Sequence, residues 1–139
     1  DEMHKPDAIQ GLVTRADFIF VATPATANTR HLLGVAEIAA MRPGAGIVSY
    51  SRAAVIDYES VRVRCEAGEI SAILDVFDPE PLPADSPLWH TPNVIITPHC
   101  SSDDTDVYIP KTLDHVLANM RRFRAGEPLE NQVDPVLEY

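Results

Sequence analysis

Apolar residues gather in four short runs along the chain: Phe18 to Ala22, Gly46 to Tyr50, Ser71 to Val76 and Val94 to Thr97. Each run is near-continuous rather than alternating, which is the pattern of a strand buried on both faces. The segments between them carry helical spacing. Val35, Ile38 and Met41 fall on one helical face, and Pro43-Gly44 stops that helix. The next helix is better marked, with Asp57 as N-cap, Tyr58, Val61 and Cys65 on one face, and Gly68 just past its end. Strands alternating with helices predict an α/β protein built on a parallel sheet, with helices on both faces.

Between Phe77 and Pro92 the pattern breaks into five prolines with acids and few aliphatics. This reads as an ordered surface loop without regular structure, and loops of that length usually carry function. After Pro98 a long helix is predicted from Leu113, Val116, Leu117 and Met120, ending at Gly126, with Pro110 delaying or kinking its start. Residues 127–139 show no period and contain two more prolines, so an extended tail that needs a surface to lie against is expected. Residues 1–126 then form one α/β unit and 127–139 its tail.

Composition narrows the partners. A net charge of −10 over 139 residues repels phosphate backbones and anionic membranes, so neither nucleic acid nor membrane is an expected partner. No apolar run approaches the roughly 20 residues that span a bilayer. Cys65 and Cys100 are too few for a disulfide framework, which suits a reducing cytoplasm. Neither the acids nor His90 and His99 match a common metal spacing, so no metal is expected. Cys100 beside His99 reads as a small buried residue rather than a nucleophile, and Arg121, Arg122 and Arg124 suit a helix C-terminus.

Open parallel sheets bind ligands beyond the carboxyl ends of their strands. The residues there are Thr23-Pro24, Ser51-Arg52, the stretch Asp75 to Glu80, and Pro98-His99. One guanidinium, several carboxylates and one imidazole are thus delivered to a single edge. Arginine grips a carboxylate bidentately, while a histidine paired with a carboxylate moves a proton near neutral pH. Anionic oxo acids are natural substrates for such a set.

The same residues carry a resemblance. Leu74-Asp75-Val76-Phe77-Asp78-Pro79-Glu80-Pro81-Leu82-Pro83, then Ser86-Pro87-Leu88, then Pro92-Asn93-Val94-Ile95-Ile96-Thr97-Pro98-His99, is similar to the signature of D-isomer-specific 2-hydroxyacid dehydrogenases. Ala16-Asp17, the segment Thr23 to Leu33, and Met41-Arg42-Pro43-Gly44-Ala45 agree in order and spacing, so the resemblance runs from about Asp17 to Pro128. It implies the second half of a Rossmann-like dinucleotide-binding domain using NAD or NADP, and hydride exchange with a small 2-hydroxy or 2-oxo acid. By resemblance Arg52 binds the substrate's carboxylate and carbonyl oxygen, His99 is the proton donor in reduction, and Glu80 holds His99 protonated and oriented. Asp75 contacts the nicotinamide side of the cofactor. Thr23, Pro24, Thr29, Tyr50 and Ser51 pass along it, with Arg52, His99 and Ser101 beside it.

The sequence departs from that pattern at Ser49, where the family usually has Asn, at Ala53, usually Gly, and at Cys100-Ser101-Ser102, where small residues including Gly are common. No Gly-x-Gly-x-x-Gly precedes any strand, so the pyrophosphate cradle is missing. The chain therefore reads as the carboxyl-terminal part of a longer enzyme, homodimeric when whole and inert in isolation, with a cut sheet prone to self-association. The alternative is a non-catalytic, dinucleotide-sensing binding module of the corepressor type, which can keep the same Arg, Glu and His.

Overall fold

Each apolar run becomes a strand in the computed structural model, which describes residues 2–136. Strands β1 (Phe18–Val21), β2 (Gly46–Ser49), β3 (Ser71–Leu74) and β4 (Val94–Ile96) form one parallel sheet in the order β1-β2-β3-β4. The register aligns Ile19, Ile47, Ala72 and Val94 in one row and Val21, Ser49, Leu74 and Ile96 two residues on. These rows face helices α1 (Ile9–Val13), α2 (Val35–Ala40) and α3 (Tyr58–Glu66), and with Ile38, Val61 and Cys65 they make the core. The α/β parallel-sheet architecture stands as predicted. The opening helix went unread because only Ile9, Leu12 and Val13 mark it.

Cover on both faces is not what these residues provide. The intervening rows leave Phe18 and Phe20 each 66% exposed and Ile95 59% exposed. Topology explains this: successive right-handed crossovers that step the same way across a sheet place their helices on the same face. The apolar character of the strands announced a cover without saying where it comes from. Phe18 lies across Gly46, where a Cβ would sit 2.8 Å from its ring. Val35, expected on the buried face of α2, is also exposed.

Local contacts account for the element ends. The Asp57 carboxylate accepts the Ser60 N–H at 2.8 Å, and that backbone bond holds its pKa below the ordinary value. A cap whose pKa is lowered on folding contributes above the ordinary carboxylate range, and the contribution is lost as pH falls through the lowered value. Asp57→Ala is expected to cost about 1 kcal/mol at neutral pH. Asp57→Asn is expected to keep most of that stability and to lose its acid dependence, a difference urea titrations at several pH values would resolve. At the far end of α2, the Arg64 guanidinium donates to the carbonyls of Ile38 and Met41, closing carbonyls the helix cannot satisfy itself.

The described residues divide into two compact units, one ending at His99 and the other beginning at Cys100. The second is built on α4 (Tyr108–Ala125), which holds Pro110 in its first turn, where a missing N–H costs nothing, and stops at Gly126 with φ of 70°. Its tail is not simply extended. The Asn119 amide donates to the Glu130 carbonyl at 3.0 Å and accepts the Glu130 N–H at 2.9 Å, folding the tail back onto its own helix. Residues 137–139 of the expected tail lie outside the described residues.

Candidate functional site

The first unit delivers its chemistry where β1, β2, β3 and β4 end. Beyond β3 the chain is pinned residue by residue. Asp75 donates its N–H to the Ser49 carbonyl at 2.9 Å and its carboxylate accepts the Thr97 hydroxyl, so this buried acid is held by segments from β2 and β4. Two residues on, the Phe77 N–H donates to Glu80 Oε1 at 3.0 Å. That bond draws the loop into a tight turn and aims the other carboxylate oxygen, Oε2, at His99 Nδ1, 2.9 Å away.

The resulting pair is the centre of the site. The imidazole first, then the Phe77 N–H, hold the Glu80 carboxyl below its ordinary value, and the nearby Arg52 guanidinium acts in the same direction. Glu80 is therefore a carboxylate at neutral pH, a charged acceptor that fixes the orientation of the imidazole through Nδ1. His99 itself sits at φ of 53°, a left-handed conformation that histidine visits more readily than most residues. Strain of this kind persists at positions the surroundings over-determine. Here Pro98 precedes it and the His99 N–H bonds the Thr97 carbonyl at 3.0 Å.

Two adjoining cavities share Phe77. One, of about 680 Å³, is walled by Thr23, Pro24, Tyr50, Ser51 and Arg52. The other, of about 510 Å³, contains Glu80 and His99 among Leu82, Trp89 and Ile96. The Arg52 side chain is exposed, and its Nη1 donates to the Ser51 carbonyl at 2.7 Å. The Ser51 hydroxyl is buried and meets no hydrogen-bond partner among the described residues.

Of the residues singled out in the sequence, Thr23, Pro24, Tyr50, Ser51 and Arg52 share one cavity wall, and Glu80 and His99 share the other. Thr29 is not on a wall. Its hydroxyl donates to the Pro24 carbonyl at 2.6 Å and accepts the Thr26 N–H at 2.8 Å, so it shapes the loop that carries Thr23 and Pro24. Asp75 is buried rather than on a wall. Ser101 lies in the second unit, exposed in the turn that follows His99. Sequence reasoning passed over Thr97, which a place between β4 and His99 could have flagged, and the Phe77 N–H, which no side-chain motif records.

Comparison with known proteins gives the site a lineage. Residues 1–101 match the family model described as D-isomer specific 2-hydroxyacid dehydrogenase, NAD binding domain. The chain is 36% identical over 128 residues to glyoxylate/hydroxypyruvate reductase B of Pectobacterium atrosepticum, a match that covers 89% of this chain and 39% of that protein. Among solved structures, a D-isomer specific 2-hydroxyacid dehydrogenase from Xanthobacter autotrophicus, in complex with NADPH, superposes with a TM-score of 0.88 at 37% identity, covering 99% of this chain and 56% of that one. An NADPH-dependent glyoxylate/hydroxypyruvate reductase from Sinorhizobium meliloti, in complex with NADP, gives 0.89 at 28% identity, covering 99% and 45%. The chain thus spans about half or less of the relatives it matches.

Proposed function

Because this chain belongs to the D-isomer specific 2-hydroxyacid dehydrogenase family, we propose that its strand ends form the catalytic half of an NAD(P)-dependent reductase of small 2-oxo acids. The observation that carries the proposal is the Glu80–His99 pair, an acid held by a carboxylate at 2.9 Å in a cavity adjoining the one that holds Arg52. Residues 1–126 are read as the carboxyl-terminal portion of the dinucleotide-binding domain and 127–139 as a tail. The working form is proposed to be a cytoplasmic homodimer, in keeping with the apolar sheet face that this unit leaves bare.

Each residue has a role that its geometry supports. The exposed Arg52 guanidinium, whose Nη1 donates to the Ser51 carbonyl, binds the substrate's carboxylate in a fork and leaves the 2-oxo group oriented. His99, with Nδ1 engaged by Glu80, gives a proton from Nε2 to the carbonyl oxygen as that oxygen gains charge. Glu80 fixes the orientation of the ring before transfer. Asp75, held by the Ser49 carbonyl and the Thr97 hydroxyl, fixes the chain where it leaves β3 for Glu80.

A nicotinamide fits the first cavity. Its wall combines the flat surfaces of Pro24 and Tyr50 with the orphaned Ser51 hydroxyl, and a planar ring bearing an amide supplies both apolar contact and a hydrogen-bond partner. When bound, that cofactor contributes the hydride. The relatives solved with NADPH and NADP favour the phosphorylated form, and those named for glyoxylate and hydroxypyruvate favour these substrates. The test joins this chain to the amino-terminal residues of the Xanthobacter relative and follows nicotinamide absorbance with both oxo acids, beside calorimetric titration of the chain alone with NADPH and NADH. Turnover by the joined protein is expected. A folded, cofactor-binding but inert joined protein would overturn the reading.

A further inference from the structure

We propose that Tyr58 is a positioning residue for the proton donor, acting through a single peptide plane; the proposal rests on the catalytic reading of Glu80 and His99 given above. The Tyr58 hydroxyl donates to the Val76 carbonyl at 2.7 Å. The Phe77 N–H donates to Glu80 Oε1 at 3.0 Å. Val76 C=O and Phe77 N–H are the two ends of the same peptide group. A peptide group is planar and rigid, with its carbonyl and amide pointing opposite ways. Fixing one end therefore aims the other. Tyr58 sets the tilt of the plane from the helix side, and the plane presents its N–H to the carboxylate that holds His99.

Two further observations and one general effect support the path. The Tyr58 ring meets Phe77 edge-on, at 6.3 Å between centroids and 84° between planes, so ring and hydroxyl brace the same residue from two directions. A hydrogen bond accepted at a carbonyl polarises its peptide and strengthens the donor at the far end. Removing the hydroxyl thus weakens the N–H bond to Glu80 as well as loosening its direction. The phenol also stays a donor across the working range, because burial pushes its pKa up to about 12, with the Glu80 and Asp75 carboxylates adding to the effect. Other charges at the path are His99 and Arg52, both facing Glu80.

Tyr58 occupies the first position of α3, after the Asp57 cap. That place needs no aromatic residue for helix formation, since any residue can fill the first turn beyond a good cap. The ring earns its burial in the contact with Phe77 and Val76.

The experiment compares Tyr58→Phe, which keeps the ring and deletes the hydroxyl, with the unaltered chain. Carbon NMR of the glutamate carboxyls is followed against pH, the Glu80 signal being identified by its loss in Glu80→Gln. In Tyr58→Phe the Glu80 titration is expected to move up toward the ordinary carboxylate range, while the other glutamates hold their positions. In the joined enzyme kcat is expected to fall about fivefold with KM for the oxo acid nearly unchanged. A Glu80 titration that superposes on that of the unaltered chain overturns the proposal. If Tyr58→Phe fails to fold, 3,5-difluorotyrosine at position 58, a stronger donor of nearly the same shape, is expected to move the Glu80 titration further down, and no movement overturns it. The NMR arm needs no turnover. A shifted Glu80 signal beside an inert joined enzyme would sink the dehydrogenase reading and leave the path from Tyr58 to Glu80 intact.

Discussion

Replacing His99 by glutamine is expected to slow reduction of glyoxylate or hydroxypyruvate by about 10²- to 10⁴-fold in the joined enzyme, the range a positioned general acid supplies. Cofactor affinity is expected to change by less than roughly threefold, because a group that acts in the transition state lowers kcat and leaves ground-state binding alone. Glutamine is the informative choice. It can keep a hydrogen bond to Glu80 Oε2, now 2.9 Å from Nδ1, and so preserves the contact that holds position 99. What it lacks is a proton to give at neutral pH. Glu80→Gln is expected to do less harm, since the imidazole remains and an amide oxygen can still hold its Nδ1. Stopped assays of both variants over a range of pH would show the order. Activity within about threefold of the unaltered enzyme in His99→Gln would remove His99 from the chemistry, whatever else the fold turned out to do.

Much of this site was legible in the sequence because its side chains are polar residues in unusual places. Arg52, Glu80 and His99 follow strands, and residues that follow parallel strands converge on one edge regardless of what the rest of the chain does. The five prolines between Phe77 and Pro92 excluded regular structure there, and the chain is indeed irregular but for a short turn over Pro87–His90. The Asp57 cap and the Gly68 and Gly126 stops held because they are local, each set by one or two residues and their own backbone; both glycines have positive φ.

Long-range contacts made by ordinary residues were not legible. Tyr58 looked like one apolar position among three on a helical face, and nothing in helical spacing says that its hydroxyl meets a carbonyl 18 residues away. The Thr29 hydroxyl bonds Pro24 and Thr26 inside its own loop, a pairing that residue spacing does not announce. The bare sheet face is a failure of another kind. Periodicity reports how apolar a strand is, and Phe18, Phe20 and Ile95 are apolar, but whether cover is supplied depends on topology that a composition pattern does not encode.

Truncating Leu74 to alanine is expected to cost about 2–5 kcal/mol of stability in the chain, whereas Ile95→Ala is expected to cost no more than about 0.5 kcal/mol. The two residues are of similar size, sit on adjacent strands and differ in the face they occupy. Leu74 is fully buried between Ser49 and Ile96, against the side on which α3 packs, and deleting its branched end leaves a cavity that the flanking strands cannot close. Ile95 is 59% exposed and leaves no void. Urea denaturation followed by circular dichroism would measure both, and equal losses would show that the buried and bare faces of the sheet have been wrongly assigned. The Leu74 loss carries a functional consequence that global stability alone does not. The residues that follow β3 are Asp75, Val76 and Phe77, so a strand free to shift at Leu74 moves the peptide that aims Glu80. In conditions where Leu74→Ala remains folded, its turnover in the joined enzyme is therefore expected to fall with little change in KM, the mark of a proton donor held less well rather than a substrate bound less tightly.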